Sequence, residues 1–135
     1  MAERNETGKQ GERLACSYLE GKGYLILDVN WHFRHYELDI VASFGGEMVV
    51  VEVKTRSYDY LVAPELAVDM RKIRRLVIAA DAYCRIKNVD MPVRFDIISV
   101  IKTGSSYKIV EHIDDAFYPP VTCRNSSSFA PYQKH

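Results

Sequence analysis

The chain contains a stretch, residues 37–54, that reads ELDIVASFGGEMVVVEVK. Two apolar segments lie on either side of Gly45-Gly46, a strong turn signal. The second segment, Met48 to Val51, is a nearly continuous apolar run, which is typical of a central strand covered on both faces. Because so short a turn joins neighbouring strands, the stretch predicts an antiparallel hairpin in the middle of a sheet.

The segments around this hairpin predict two helices and three further strands. Helical spacing of apolar residues predicts a first helix from about Thr7 to Gly21 and a second from Pro64 to about Lys87. Strand patterns cover residues 24–31, 35–43, 47–55, 93–101 and 107–113. The element order is therefore αβββαββ, which predicts a small α/β fold.

Length and charge limit the possible functions. The 135 residues suit one domain, predicted over residues 1–121, and residues 122–135 have no periodicity and are predicted to be a flexible C-terminal tail. Lys and Arg number 18, as do Asp and Glu, so the formal net charge is zero. A protein that coats nucleic acid would be strongly basic. Any nucleic-acid contact is therefore expected to come from a local basic patch.

The cysteines and the hydropathy pattern bear on localisation. Cys16, Cys84 and Cys123 are odd in number and form no zinc pattern or disulfide framework, which favours a reducing compartment. There is no signal-peptide pattern, and no apolar run approaches membrane-spanning length. We expect a cytoplasmic protein without a membrane partner.

Candidate catalytic residues occupy both arms of the hairpin. Glu52 and Lys54 share one face of a strand because side chains alternate. The turn lies roughly midway between Asp39 and Glu52, so folding the arms together should bring these two acids close. Burying carboxylates among apolar residues is costly, and a divalent cation would offset that cost. Mg²⁺ suits Asp39, Glu52 and the backbone carbonyl of Val53, while Lys54 would position a water or stabilise developing negative charge.

A simpler interpretation exists for each of these residues. Glu-x-Lys arises by chance in roughly every second or third chain of this length, and a salt bridge at a strand end would also explain Glu52 and Lys54. Glu12 lies at the edge of the apolar face of the first helix, where a solvated glutamate is common. The second helix and the hairpin ends carry basic residues that would either be solvated or contact phosphates: Arg34, Arg56, Arg71, Lys72, Arg74 and Arg75.

Several motifs in one order resemble the YraN-type bacterial family. They are Gly8-x-x-Gly11-Glu12, Ala15, Tyr18-Leu19, Gly23-Tyr24, Asn30, Glu37-Leu38-Asp39-Ile40, Val51-Glu52-Val53-Lys54-x-Arg56, Lys72 and Arg94-Phe95-Asp96, and they span most of the chain. That family looks like a branch of the PD-(D/E)XK nuclease superfamily and is similar to archaeal Holliday-junction resolvases. In one departure, Tyr36 stands where the family usually has glycine.

The resemblance implies a fold, a site and a substrate. The implied fold is restriction-endonuclease-like, with a mixed central sheet of about five strands flanked by helices. Asp39, Glu52 and Lys54 match the metal and catalytic positions, Glu12 matches an acid on the first helix, and Lys72 matches a basic position on the second. A divalent metal and a nucleic-acid substrate are implied.

Three functions follow as hypotheses. The first is a Mg²⁺- or Mn²⁺-dependent endonuclease acting on DNA, duplex, branched or damaged, with catalytic residues Asp39, Glu52, Lys54 and Glu12. Supporting or DNA-contact residues would be Glu37, Arg56, Lys72, Arg71 and Arg75, and a homodimer would suit two cuts in a junction. The second is a noncatalytic nucleic-acid-binding or assembly protein that keeps the nuclease fold. The third is a purely structural partner protein with solvated acids.

Overall fold

The computed structural model describes residues 2–57 and 69–117, and only the backbone of residues 2–5. The elements in chain order are α1 (Ala2–Gly21), β1 (Leu25–Phe33), β2 (Tyr36–Phe44), β3 (Glu47–Ser57), α2 (Met70–Lys87), β4 (Val93–Thr103) and β5 (Ser106–Ile113). This is the predicted order αβββαββ.

The five strands form one mixed sheet in the order β1-β2-β3-β4-β5. The pair β2–β3 is the antiparallel hairpin predicted around Gly45-Gly46. The strands β3 and β4 pair in parallel, with Glu52 beside Ile97, and α2 lies between them in the chain. All other neighbours are antiparallel. The α/β class and the mixed sheet flanked by helices are confirmed, and the architecture is consistent with a restriction-endonuclease-like fold.

The helices cover opposite faces of the sheet. On one face α2 places Val77 and Ala80 against Val50 and Phe95. On the other face α1 places Ala15 and Leu19 in a second apolar cluster, which also contains Val51. Both faces of β3 are thus buried, as the apolar run predicted, and the polar residues at the end of β3 emerge where the two layers meet.

The start of the second helix was predicted wrongly. The helix begins at Met70, not at Pro64, because Asp69 is its N-cap: the residue is extended (φ −88°, ψ 179°) and its side chain accepts a hydrogen bond from the backbone N–H of Lys72. A capping carboxylate that satisfies a free N–H defines the first turn. The helical spacing continues through Leu66, but Pro64 and Leu66 lie outside the described residues.

Other expectations differ in smaller ways. Helix α1 begins five residues before Thr7. Each strand extends one or two residues beyond its predicted bounds at one end, and β1 and β2 begin one residue later than predicted. Cys84 is buried beside Met48, whereas Cys16 is only partly buried. No helix in residues 2–57 or 69–117 is long and apolar enough to span a membrane. The predicted tail, residues 122–135, lies outside the described residues.

Candidate active site at the end of the central hairpin

A pocket of about 710 Å³ lies where the two layers meet, at the end of β3 distant from the hairpin turn. Five of the seven elements contribute to its wall: α1, β2, β3, α2 and β4. The described residues that line it are Thr7, Gly8, Glu12, Glu37, Asp39, Glu52, Val53, Lys54, Thr55, Arg56, Lys72 and Lys102. Seven of the predicted site side chains therefore share one cavity.

The hairpin register places the two central acids side by side. Ile40 pairs with Val51, so one further step along the antiparallel ladder brings Asp39 to Glu52. The Asp39 carboxylate accepts a hydrogen bond from the backbone N–H of Val53 at 2.9 Å. This bond holds Asp39 against β3 at the point where the regular pairing ends.

Glu52 is buried, with 5% of its surface exposed, and two lysines contact it. Lys54 Nζ lies 3.2 Å from Glu52 Oε2, and Lys72 Nζ lies 3.4 Å from the same oxygen. Lys54 comes from β3 itself and Lys72 from the first turn of α2. A buried carboxylate requires such compensation, and here both ion pairs use one of its two oxygens.

Burial and neighbouring acids raise the pKa values of two carboxyl groups in the pocket, Asp39 and Glu12. Burial, and then the nearby Glu52, raise the pKa of Asp39 well above its usual range, although the Val53 N–H and Lys72 act in the opposite direction. Burial likewise raises the pKa of Glu12, opposed by a hydrogen bond from Asn30. Desolvated carboxylates with like-charged neighbours favour a bound cation, because a cation relieves both effects.

Glu12 and Glu37 reach the pocket from α1 and β2. Glu12 Oε1 accepts a hydrogen bond from Asn30 Nδ2 at 2.7 Å. Glu37 Oε1 lies 3.0 Å from His32 Nε2, and its side chain is half-exposed. Glu12 therefore faces the other acids from the opposite wall, while Glu37 lies at the rim.

The donor set suits a hard divalent ion. In a paired strand the N–H and C=O of one residue point to the same side, so the Val53 carbonyl faces Asp39, as its N–H does. Asp39, Glu52 and this carbonyl offer oxygen atoms only, and Mg²⁺ keeps several waters besides a few such ligands. Within residues 6–57 and 69–117 no group of three or more His, Cys, Asp and Glu side chains stands at metal-binding separation. The fit thus rests on two carboxylates and a carbonyl.

The basic residues divide between the pocket and other surfaces. Lys54, Arg56 and Lys72 line the pocket, as does Lys102, which the sequence analysis missed. Lys102 follows the apolar run of β4, and the parallel pairing of β4 with β3 places it beside Ser57. A basic residue at the end of a buried strand was the sequence feature that could have indicated Lys102. Its place in the pocket depends on the pairing of β4 with β3, which the sequence alone left open.

Arg71 and Arg75 do not line the pocket. Arg75 Nη2 donates a hydrogen bond to the carbonyl of His35 at 2.9 Å, and its guanidinium lies 5.0 Å from the centre of the Tyr36 ring. The residue therefore ties α2 to the turn between β1 and β2. Tyr36 has no left-handed backbone angle that would require glycine, and it packs against the core under α2.

A glycine lets α1 approach β3 closely. A Cβ atom on Gly11 would meet Thr55 Oγ1 at 2.0 Å, whereas a Cβ atom on Gly8 would meet nothing within 4 Å. Gly11 is buried, and the next residue, Glu12, faces the pocket. The absence of a side chain at residue 11 therefore sets the distance between the helix and the strand, and with it the position of Glu12.

Comparison with known proteins places the chain in a family. Residues 11–100 match the model described as "Uncharacterised protein family UPF0102". The chain belongs to this family. UPF0102 proteins of Parabacteroides distasonis and Bacteroides thetaiotaomicron are each 55% identical to it, over 92% and 90% of this chain and 100% and 99% of theirs. One from Porphyromonas gingivalis is 45% identical over 99% of this chain and 98% of its own length.

The UPF0102 match confirms the YraN-type resemblance. It includes the acids Glu12, Asp39 and Glu52 and the lysines Lys54 and Lys72. Lys102 lies just beyond the matched residues. Nine of the twelve described residues that line the pocket therefore lie within the matched range, and Thr7, Gly8 and Lys102 lie outside it.

Proposed function

We propose that this UPF0102 protein is a divalent-metal-dependent endonuclease of the PD-(D/E)XK type that hydrolyses phosphodiester bonds in DNA, branched or damaged DNA included. The observation that supports this most directly is the meeting of Asp39, Glu52 and Lys54 in one polar pocket. Two adjacent carboxylates with a neighbouring ammonium suit a cation and a phosphate together.

Each residue has a distinct role in this proposal. Asp39, Glu52 and the Val53 carbonyl would hold Mg²⁺ or Mn²⁺, and the ion would supply Lewis-acid chemistry that activates water and offsets charge on the scissile phosphate. Lys54 orients the attacking water or stabilises the negative charge that develops on the phosphate. Lys72, which also contacts Glu52, helps to hold that carboxylate in place.

The remaining basic residues suit a nucleic-acid backbone. Arg56 and Lys102 join the two lysines on Glu52 around the same pocket, so cations surround the acids although the whole chain has no net charge. Such contacts bind phosphates without reading sequence. The local patch that a neutral protein needs for DNA binding is therefore available at the site itself.

A second candidate is a noncatalytic nucleic-acid-binding protein that keeps this fold. The observation that favours it is the double ion pair on Glu52, because Lys54 and Lys72 already neutralise that carboxylate without a metal. In this alternative the lysines stay on Glu52, and the pocket binds DNA without cleaving it.

One experiment separates the two candidates. The protein and its Asp39→Asn variant are incubated with linear, single-stranded and branched DNA in Mg²⁺, in Mn²⁺ and in EDTA. We expect cleavage that needs the metal and falls at least about 100-fold in the variant. The matched control is Asp90→Asn, which changes an exposed aspartate outside the pocket and should cleave normally. Binding without cleavage, unchanged in Asp39→Asn, supports the second candidate.

A further inference from the structure

Asn30 has an unusual backbone for a residue within a strand. Its φ is +54°, in the left-handed region, although it lies inside β1 between Val29 and Trp31, which pair with β2 in the regular way. Asparagine tolerates this region better than most residues, but such a conformation still costs free energy and tends to occur at functional sites. We therefore expect the side chain of Asn30 to make a contact that offsets the cost of this backbone conformation.

The side chain of Asn30 has one contact that explains the conformation. Its Nδ2 donates the 2.7 Å hydrogen bond to Glu12 Oε1 that joins β1 to α1. The register of β1 with β2, in which Val29 pairs with Ile40 and Trp31 with Leu38, also makes Asn30 the cross-strand neighbour of Asp39. Asn30 thus stands between two of the pocket's carboxylates and contacts one of them.

A second contact fixes the backbone of Asn30. His32 Nδ1 lies 3.0 Å from the carbonyl oxygen of Asn30, and His32 Nε2 lies 3.0 Å from Glu37 Oε1. Both ring nitrogens of His32 therefore face oxygen acceptors. The contacts run from Glu37 through His32 and Asn30 to Glu12, and they connect two acids of the pocket along the edge strand.

Without the hydrogen bond from Asn30, electrostatic forces would move the Glu12 side chain out of the pocket. It is only partly buried, and Asp39, Glu52 and Glu37 are negative neighbours that repel its carboxylate. A second cavity of about 510 Å³ also borders Glu12 and Asn30, and Lys9 and Arg13 in its wall offer positive charge. A partly buried glutamate between these charges is expected to turn toward the cations.

We infer that Asn30 is a positioning residue, whose amide holds the Glu12 carboxylate in the pocket beside Asp39 and Glu52. The inference rests on the proposed function for its catalytic consequence but not for the geometry. An outer hydrogen-bond partner of this kind typically changes metal affinity or activity by about 10- to 100-fold when it is removed.

Two substitutions test the inference without straining the backbone. Glycine and aspartate both accept the left-handed conformation, so Asn30→Gly and Asn30→Asp should fold. Both lack the amide donor, and aspartate adds a repelling charge. The control is Asn88→Gly: Asn88 is the C-cap of α2, has φ +57° and lies away from the pocket, so its replacement should leave activity unchanged.

The kinetic measurement is DNA cleavage in Mg²⁺. We expect kcat to fall about 10- to 100-fold in Asn30→Gly and further in Asn30→Asp, with KM for DNA unchanged. A variant with wild-type kcat overturns the inference. So does a raised KM with normal kcat, because that pattern means that Asn30 contacts DNA directly.

The structural measurement is independent of activity. In a crystal structure of Asn30→Gly we expect the Glu12 carboxylate to turn away from Asp39 toward Lys9 and Arg13. If Glu12 stays in place, the inference is wrong whatever the kinetics show. If the wild-type protein cleaves no DNA but Glu12 moves in the variant, the proposed function fails and the positioning role of Asn30 stands.

Discussion

The Asp39 carboxylate accepts a hydrogen bond from the backbone N–H of Val53 at 2.9 Å. This bond joins the last residues of the central hairpin and holds Asp39 next to Glu52. The backbone thus positions a like-charged pair that unassisted side chains would avoid. Such an arrangement costs stability, and under the proposed function a bound cation would offset that cost.

Asp39→Asn should therefore stabilise the metal-free protein. Asparagine keeps an oxygen that accepts the Val53 N–H but removes the charge that burial and Glu52 disfavour. We expect a gain of about 1 kcal/mol near neutral pH, which corresponds to roughly 3–6 °C in the melting temperature. The measurement is thermal unfolding in EDTA.

The exposed Asp90 serves again as the control, since Asp90→Asn should change the free energy of unfolding by less than about 0.5 kcal/mol. Adding Mn²⁺ should raise the melting temperature of the wild-type protein but not that of Asp39→Asn. A clear destabilisation of Asp39→Asn in EDTA would show that the carboxylate contributes more through contacts than it costs through repulsion.

Gly11→Ala and Gly8→Ala should have opposite effects in the same helix. Alanine at residue 11 would bring Cβ to 2.0 Å from Thr55 Oγ1, so α1 or Thr55 has to move, at a cost of about 1–3 kcal/mol. Alanine at residue 8 meets nothing and should gain up to about 1 kcal/mol of helix propensity. Urea unfolding of both variants measures the difference.

Relief of the contact provides a check. The double variant Gly11→Ala with Thr55→Ala should recover part of the lost stability, because the nearest atom has been removed. Equal stability of Gly11→Ala and Gly8→Ala would contradict the view that Gly11 sets the distance between α1 and β3.

A buried polar cluster lies near the start of β4, whereas Lys102 of the candidate site lies near the end of that strand. Asp96, which is 1% exposed, accepts hydrogen bonds from Arg94 and from the backbone N–H of Asp115, and its Oδ2 lies 2.8 Å from His112 Nε2. His112 Nδ1 in turn lies 3.0 Å from the hydroxyl of Tyr18 on α1. The cluster thus fastens β5 and α1 to β4.

The cluster gives a pH dependence with a defined sign. Burial alone would raise the pKa of Asp96, but the contacts with His112 and Arg94 outweigh burial and lower it below the usual value. Because the folded pKa lies below the unfolded value of about 3.9, the carboxylate stabilises the fold above that pH, and the contribution is lost as pH falls toward the folded pKa. Stability should therefore decrease below about pH 4.

Asp96→Asn tests this dependence by difference. At pH 7 we expect it to lower the free energy of unfolding by about 2–3 kcal/mol, because Arg94 keeps its largely buried charge and loses the nearer of its two carboxylate partners, Asp96 and Glu47. The difference in free energy of unfolding between the wild type and the variant should decrease as pH falls through 4. Denaturant unfolding at several pH values measures this difference. A difference that stays constant down to pH 3 would rule out this role for the Asp96 charge.

Arg75 and Arg71 make a matched pair on α2. Arg75→Ala removes the hydrogen bond to His35 and the contact with the Tyr36 ring, so it should cost about 1–2 kcal/mol of stability. Arg71 is exposed, and Arg71→Ala should cost less than about 0.5 kcal/mol. Unfolding experiments on both variants measure the difference.

The same variants test the predicted DNA contacts of these arginines. A side chain that neutralises one phosphate contributes about 0.9 to the slope of the logarithm of affinity against the logarithm of salt concentration. Because Arg75 is engaged by the turn between β1 and β2, its variant should leave this slope unchanged. A slope reduced by about 1 in either variant would assign that arginine to a phosphate.

Much of the fold was predictable from local patterns. The apolar run Met48 to Val51 and the turn at Gly45-Gly46 predicted the central hairpin, and helical spacing predicted both helices. The start of α2 was not predictable from spacing, because apolar residues continue the helical pattern before Asp69. Only the extended backbone at Asp69 and its capping bond show where the helix begins.

The sequence by itself determined which residues could form a site, since the spacing of Asp39, Glu52 and Lys54 around a turn follows from strand alternation and hairpin register. Tertiary structure decided the rest. Lys102 reaches the pocket only through the parallel pairing of β3 with β4, and Asn30 reaches Glu12 only through the packing of α1 on the sheet. The spacing of apolar residues predicts single helices and strands. These contacts depend on how separate elements pack against one another, and no short segment of sequence determines that packing.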